Sequence, residues 1–495
     1  MFAILLTLVL VLAPTAEAQM FTPPNRIQGV GIDRLNMSHE ELQQATEEQK
    51  LASWFWLLRD VKAAAAPALI HQPEIVGLTR AGAVVIQNAL QKYGIDPSEI
   101  ERYDVNDIAE IFRGLIFIES YGNPTARNYC CAGIVQLSRG SARDLGLSIG
   151  RGGDERLNPA KAIPAAAERI ASRVRTFGRL DLAVAEYHMG SGNLYEVIRH
   201  FTGVRVNGRN AASVVLARAL TYPRIYFTTT PINHPSTYRF LHGLDDASAT
   251  YWFRVLAAVD VLRFSRENPA AFFRLVLDTY TNKTDRNKKA SSRMWYLYGP
   301  RDITAMTIAD QAELQEAWNN RIVMAFNNPE WFGFGLRLAG ESPIAEAEHD
   351  SAIKPLYYGS EKATIGALIY VATETRSLMG EQRFQAFETN SLVRDAAYQT
   401  RLIRSNGNAV TELPTHVMAK AFDIPIKTMN QLYLDCLLMI LRDLERKGLI
   451  TFVREGVGQL TLHVLPIPDE TVVEFFEGVY DAALGFARAQ SIDSN

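Results

Sequence analysis

Glu119 ends an apolar run of residues 105–118 and is followed at once by a polar turn, so one carboxyl group stands at the edge of a hydrophobic wall. The apolar side chains recur with helical spacing and predict a buried amphipathic helix over this run; they are Ile108, Ile111, Phe112, Leu115 and Ile116. Desolvation beside such a wall favours the protonated carboxyl that a general acid needs. Glu119 is therefore the first candidate for acid/base chemistry.

Two histidines and an aspartate near the C-terminus are of the types that a metal site requires. His416 lies shortly before Asp423 in the chain, and His463 falls on the second strand of a predicted hairpin. Catalytic zinc commonly takes three protein ligands, often two histidines and a carboxylate, and keeps one position for water. The chain has 9 histidines, and only these two lie after residue 360. The three residues predict a zinc site; the alternative is a loop histidine and a strand histidine without a metal.

The elements that must hold these residues fall into a large helical part and a smaller mixed part. With 495 residues, the chain can form two or three domains with cores of their own. We expect a mainly α protein with a helical domain and a helical middle segment, followed by a small α+β domain. The predicted division is a leader at 1–18, a helical segment at 19–94, a catalytic domain at 95–230, a helical segment of unknown role at 231–355 and the α+β domain at 356–485.

The first 18 residues are typical of a secretory signal, with a short apolar core and the small-residue cleavage pattern Ala16-Glu17-Ala18. The apolar run is too short to span a bilayer, so we expect an exported protein without a transmembrane segment. A formal net charge of −3 and a pI near 6.3 indicate no basic surface for nucleic acid. A hydrophobic content of 47% with 21% charged residues is that of an ordinary soluble protein.

The three cysteines do not make a disulfide framework. Cys130 and Cys131 are adjacent, so we expect that they do not readily bridge each other. One of them could pair with Cys436, but the favoured interpretation is that all three are buried thiols.

Three ordered segments resemble the soluble lytic transglycosylase domain of bacterial peptidoglycan enzymes, which has a goose-lysozyme-like helical fold. The segments are Glu119-Ser120, Cys131-Ala132-Gly133-Ile134-Val135-Gln136-Leu137 and Ala185-Glu186-Tyr187-His188-Met189-Gly190. The resemblance spans roughly residues 95–230. It implies that Glu119 is the catalytic acid/base, that no cofactor is needed, and that the substrate is bound by Ser120, Gln136, Tyr187 and Tyr222. His188-Met189 depart from the asparagine-alanine that the family has at this place.

The sequence offers no second carboxylate close after Glu119, and this bears on the type of reaction. Glycoside hydrolysis commonly needs two carboxylates, yet no Asp or Glu lies between Ser120 and Arg143. One acid/base suffices if the C6 hydroxyl of the muramyl sugar attacks its own C1, and the resemblance implies the resulting 1,6-anhydromuramyl product. A lysozyme-like muramidase that recruits Asp144, Asp154 or a distant carboxylate is the alternative. A second alternative is a non-catalytic scaffold that binds peptidoglycan.

The C-terminal segment at roughly 360–468 resembles the zinc D-alanyl-D-alanine peptidase superfamily. The resemblance rests on Ser391-Leu392-Val393-Arg394, on Thr415 to Asp423 with Ala419 where glycine is usual, and on His463. It implies Zn²⁺ bound by His416, Asp423 and His463, with Arg394 on the substrate carboxylate. Glu455, across the hairpin, is the candidate general base. The complete prediction is an enzyme of the periplasm or cell envelope that acts on glycan strands and stem peptides.

Overall fold

The computed structural model describes residues 21–23, 25–58, 62–150, 152–244, 246–284, 305–325, 334, 336–338, 354–380, 383–389, 391–405, 415–455, 458 and 460–493. The predicted leader at 1–18 lies outside the described residues. Within them, no helix combines the length and the apolar character that crossing a membrane requires.

The chain up to residue 284 is built almost entirely from helices. These are α1 His39–Leu57, α2 Lys62–Ile70, α3 Pro73–Tyr93, α4 Pro97–Arg102, α5 Val105–Ser120, α6 Arg139–Asp144, α7 Pro159–Phe177, α8 Leu180–Thr202, α9 Ala211–Ala217, α10 Tyr222–Thr228, α11 Pro235–Gly243, α12 Tyr251–Glu267 and α13 Pro269–Thr284. Two small hairpins interrupt them after α5: β1 Cys131–Ala132 pairs with β2 Leu137–Ser138, and β3 Ile149–Gly150 pairs with β4 Gly153–Asp154. The prediction of a mainly helical protein is confirmed for this part.

Helix α5 carries Glu119 in its last turn, and its sequence explains both of its ends. At the start, the Asp104 side chain accepts from the backbone N–H groups of Asn106 and Asp107, and Asp107 caps Asp104 in return. At the end, Tyr121 adopts a left-handed conformation with φ 54°, which stops the helix one residue after Ser120. The helix predicted over 105–118 is confirmed, and the structure extends it by two residues to include Glu119.

Helix α5 lies in the middle of the first hydrophobic core. It packs against α3 on one side and α12 on the other, while α3 also packs along α7. This core includes buried residues from Ala45 to Val276, so helices on both sides of residue 230 share it. The start of α12 thereby lies next to the end of α5, so that a residue of α12 can contact Glu119.

The C-terminal part forms a second core. Its elements are β5 Met324–Ala325, β6 Leu336–Leu338, β7 Gly359–Ser360, β8 Phe387–Thr389, β9 Phe422–Pro425, β10 Ile450–Glu455 and β11 Thr461–Pro466, with helices α14 Gln311–Asn319, α15 Lys362–Met379, α16 Ala396–Ser405, α17 Gln431–Arg446 and α18 Glu470–Asp493. Strands β10, β11 and β9 form an antiparallel sheet in that order. Helices α15, α17 and α18 bury their apolar faces with this sheet. The hairpin predicted from the sequence is confirmed as β10 and β11.

The cysteine prediction is wrong for two of the three residues. The structure joins Cys130 and Cys131 by a disulfide, and Cys130 lies on the surface. Both backbone N–H groups point at the Asn128 side-chain oxygen, so the chain turns sharply at this pair. Cys436 is a buried free thiol on α17, as predicted, and burial raises its pKa to about 12.

Candidate functional site

The Glu119 carboxyl is held by a tyrosine that sequence reasoning did not select. The side chain of Glu119 is 11% exposed, and its Oε1 accepts a hydrogen bond of 2.6 Å from the Tyr251 hydroxyl. Tyr251 is the first residue of α12 and is fully buried. Among the described residues, no hydrogen bond is made to the other oxygen, Oε2.

Electrostatics keep the Tyr251 hydroxyl protonated. Burial raises its pKa well above the usual value, and the neighbouring Glu119 carboxylate raises it further by charge and by the hydrogen bond. The tyrosine therefore acts as a fixed hydrogen-bond donor to Glu119. Its place in the sequence, 132 residues after Glu119 in an apolar run, gives no signal of this contact.

His188 lies on the same side of Glu119 as Tyr251. Its ring stacks on the Tyr251 ring, with centroids 4.6 Å apart and planes 10° apart. Its Nδ1 lies 3.7 Å from Glu119 Oε1, and its Nε2 lies 3.7 Å from Asp246 Oδ2. Gly190, with φ 79°, kinks α8 two residues later, and no described atom lies close enough to contact a Cβ added there. The residue that departs from the family pattern thus contacts the candidate acid.

Three predicted substrate-binding residues hold the loop that follows α5. Ser120 donates its hydroxyl hydrogen to the Ile134 carbonyl at 2.6 Å, and Tyr187 donates to the Val135 carbonyl at 2.8 Å. The Gln136 amide donates to the carbonyls of Ala126 and Gly133 at 3.1 and 2.7 Å. Side chains of the three family segments therefore fix the backbone of residues 126–137.

Gly133 is required at its position in this loop. Its φ is +88°, and a Cβ added there would lie 1.8 Å from the Arg156 carbonyl oxygen. Arg156 in turn donates to the Leu137 carbonyl and to Asp154. The hydrogen bond from Arg156 lowers the pKa of Asp154, which also pairs with Arg127. Asp154, one of the carboxylates weighed as a second catalytic group, is thus engaged by two arginines in the loop framework.

Tyr222, the fourth predicted substrate-binding residue, is fully buried. Its hydroxyl donates to the carbonyls of Ser248 and Ala249 at 3.3 and 3.0 Å. Burial raises the pKa of this hydroxyl far above its usual value. Tyr222 therefore contacts the backbone that leads into Tyr251 and presents no exposed surface.

The structure brings His416, Asp423 and His463 together in a second site. Their candidate ligand atoms all lie within 4.8 Å of one another, and the three residues are buried. Asp423 on β9 is directly opposite His463 on β11, and Asp423 Oδ1 lies 2.7 Å from His463 Nδ1.

The orientation of His416 fits a bound cation. Its Nδ1 lies 2.6 Å from the Leu392 carbonyl, which can only accept, so Nδ1 carries the hydrogen and Nε2 a lone pair. This Nε2 is buried without a hydrogen-bond partner, 3.2 Å from Asp423 Oδ2. Burial lowers the pKa of His416 to about 4, so the ring is neutral at pH 7. Two acceptor atoms that face each other in a buried site are what a metal ion would satisfy.

The surroundings of this site include other predicted residues. Arg394 donates to Ser391 Oγ at 2.7 Å, and its Nη2 lies 3.5 Å from Asp423 Oδ2. Ala419, where the family has glycine, adopts φ 56°, the conformation that glycine favours. Glu455 ends β10, but its side chain lies outside what the structure describes.

The comparisons with known proteins concern the helical site. No curated protein matches the chain. Residues 85–204 match the family model described as "Transglycosylase SLT domain". This span includes Glu119, the loop at 126–137 and His188, and it ends before Tyr222 and Tyr251. The match indicates an enzyme with lytic-transglycosylase-type activity on peptidoglycan, and proteins with this domain generally act outside the cytoplasm.

Proposed function

We propose that the helical site cleaves the glycosidic bond between N-acetylmuramic acid and N-acetylglucosamine, with formation of a 1,6-anhydromuramyl end and Glu119 as its single acid/base. The observation that carries this proposal is the bond of 2.6 Å from the Tyr251 hydroxyl to Glu119 Oε1. The described polar partners of Glu119 are a tyrosine and a histidine, and neither is a second carboxylate. This arrangement suits a reaction in which one group both gives and takes the proton.

The reaction balances with Glu119 alone. The protonated carboxyl gives its hydrogen from Oε2 to the glycosidic oxygen as the bond to the muramyl C1 breaks. The C6 hydroxyl then bonds to C1, and its proton passes to the Glu119 carboxylate, which restores the starting state. The Tyr251 hydrogen bond stabilises the carboxylate between these two transfers. This is because a hydrogen bond to a charged acceptor is stronger than one to a neutral acceptor.

The other predicted residues support the backbone near Glu119. Ser120, Gln136 and Tyr187 bind main-chain carbonyls of the loop at 126–137, and Tyr222 binds the chain before Tyr251. We infer that they position the sugar through the backbone they fix. The site then needs no cofactor, and an exported protein of the periplasm or cell envelope would meet this substrate.

Digestion of purified peptidoglycan sacculi, followed by mass spectrometry, tests the proposal. We expect 1,6-anhydromuramyl products with the natural sequence and none with Glu119→Gln, whose fold is checked by circular dichroism. Reducing-end products would instead indicate a muramidase. Binding to sacculi without any product would indicate a scaffold protein. Undiminished cleavage by Glu119→Gln would remove this residue from the mechanism.

We also propose that His416, Asp423 and His463 bind a zinc ion and that the C-terminal part acts on the stem peptide. The specific observation in favour is the buried, unpartnered His416 Nε2 that faces Asp423 Oδ2. A zinc ion at these three ligands would supply an activated water for peptide hydrolysis. Arg394, beside Asp423, is the candidate group for a peptide carboxylate, and Glu455 is the candidate base.

Zinc titration of the metal-stripped protein tests this second proposal without an activity assay. We expect one bound equivalent by calorimetry and a higher unfolding temperature, since a hundredfold excess over the dissociation constant adds about 2.7 kcal/mol of stability. His416→Ala should abolish both effects, and His200→Ala, a histidine of α8, should retain them. No binding to the natural sequence would leave a metal-free network in which His463 links Asp423 to Thr415.

A further inference from the structure

A cavity of about 270 Å³ lies where the helical part meets α17, and neither proposed activity accounts for it. The helical part contributes one wall and α17 the other. Its polar lining consists of Gln49, Tyr226, His242, Asp246 and Thr250 on the first wall and Arg442, Glu445 and Arg446 on the second. The cavity therefore exists only because the two parts are packed together.

The cavity is close to the glutamate that the glycan reaction uses. Asp246, in its lining, lies 3.7 Å from His188 Nε2, and the other ring nitrogen of His188 lies 3.7 Å from Glu119 Oε1. Ala249 and Thr250 also line it and directly precede Tyr251 in the chain. One histidine ring thus separates the cavity from the catalytic carboxyl.

Charged side chains line both walls of the cavity. Arg446 is neutralised by Glu48 and Asp443. Arg442 donates to the Tyr238 hydroxyl at 3.0 Å, and within the described part of the chain it forms no ion pair. Asp246, whose side chain is 57% exposed, has His188 as its described charged neighbour. The Glu445 carboxylate lies on the same wall as Arg442 and accepts a hydrogen bond from Thr451. The cavity therefore offers, on one wall, a guanidinium that forms no described ion pair and, on the other, an accessible carboxylate.

His242 adds no charge to this arrangement. It is buried, and burial, together with Arg442 and Arg34, lowers its pKa well below the usual value, so the ring is neutral. A ligand with a carboxylate and an amine would meet Arg442 and Asp246 as opposite charges across the cavity.

We propose that this cavity binds the charged amino-acid portion of the stem peptide, carried by the muramyl residue whose glycosidic bond lies at Glu119. This inference rests on the proposed glycan cleavage, because the sugar at Glu119 is what brings its peptide branch to the cavity. A volume of about 270 Å³ is slightly below that of pockets for drug-sized ligands and suits a short peptide segment. Arg442 binds the carboxylate and Asp246 the amine of that segment.

Two substrates that differ only in the peptide test the proposal. Glycan strands with stem peptides are compared with strands from which an amidase has removed them, and the ratio of the two kcat/KM values is measured. We expect Arg442→Gln to lower this ratio about tenfold, the effect of one lost hydrogen-bonded charge contact. Arg239→Gln is the matched control: this arginine on α11 is 55% exposed, pairs with Asp435 and lies outside the cavity lining. Its ratio should equal that of the natural sequence.

An unchanged ratio in Arg442→Gln overturns the proposal, and so does an equal loss on both substrates. If Arg442→Gln does not fold, Asp246→Asn gives the same test, with the same ratio expected to fall. Binding of both strands to Glu119→Gln protein separates this inference from the proposed reaction. Preference of that protein for peptide-bearing strands supports the cavity whether or not Glu119 proves catalytic, and equal binding overturns it.

Discussion

Replacing Tyr251 by phenylalanine removes one hydroxyl group and keeps the ring on which His188 stacks. The lost bond is short, at 2.6 Å, fully buried on the tyrosine side, and made to a carboxyl that is 11% exposed. A hydrogen bond to a charged group in such a place contributes about 1.5–3 kcal/mol. Because Glu119 is charged only after it has given up its proton, the bond is strongest during the reaction. We therefore expect kcat to fall by about 10- to 100-fold, with KM little changed.

The assay is the initial rate of anhydromuramyl product formation from purified glycan strands over a range of substrate concentrations. Tyr433→Phe is the matched control, because it removes another buried tyrosine hydroxyl, one that donates to the Gln385 carbonyl in the C-terminal core. It should reduce the free energy of unfolding by about 1 kcal/mol and leave kcat unchanged. A kcat for Tyr251→Phe within twofold of the natural value would refute a role of this bond in the reaction. A large rise in KM with kcat unchanged would instead place Tyr251 in sugar binding.

Three further substitutions test the local geometry. Gly133→Ala should lower the free energy of unfolding by about 3 kcal/mol or more, measured by denaturant titration, because its Cβ would meet the Arg156 carbonyl at 1.8 Å. Ala419→Gly should raise it by about 0.5–1 kcal/mol, since relief of a left-handed alanine outweighs the added entropy of the unfolded chain. Burial and the charge of Asp181 raise the pKa of Glu99 from 4.5 to about 8. The folded protein therefore holds a proton that the unfolded chain releases, stability falls as the pH rises from about 5 to 8, and Glu99→Gln should flatten this part of a curve of unfolding temperature against pH.

Local patterns were sufficient to predict the elements that carry the two sites. The helical spacing before Glu119 predicted α5, because one apolar face and a capping pair at Asp104 and Asp107 decide a helix without distant contacts. The hairpin of β10 and β11 followed from alternation around a glycine turn. Strand β11 also pairs with β9, and the register of that pair sets His463 opposite Asp423. The sequence thus predicted three residues that do meet, while the metal they would hold stays a prediction.

Contacts between distant segments could not be predicted in the same way. Tyr251 reaches Glu119 only because α12 packs across α5, and an apolar run gives no sign of which tyrosine hydroxyl will face a carboxyl. The polar groups of Ser120 and Tyr187 were predicted to contact sugar, but the structure bonds them to loop carbonyls. Residue type predicts that a buried hydroxyl needs an acceptor, and only the fold decides whether that acceptor is backbone or ligand.

The packing of the two parts depends on the N-terminal segment before α1. Arg34, only 5% exposed, donates to the Phe227 and Tyr226 carbonyls at the end of α10 and to Asp443 on α17. A buried guanidinium needs all of these acceptors, so sliding one part along the other would leave a charge unpaired at a cost of about 3–5 kcal/mol. The cavity lined by Arg442 and Asp246 is therefore held at a fixed place relative to Glu119. A sugar and its peptide branch would then bind as one rigidly spaced pair, and the contact made by the peptide would help to position the sugar for cleavage.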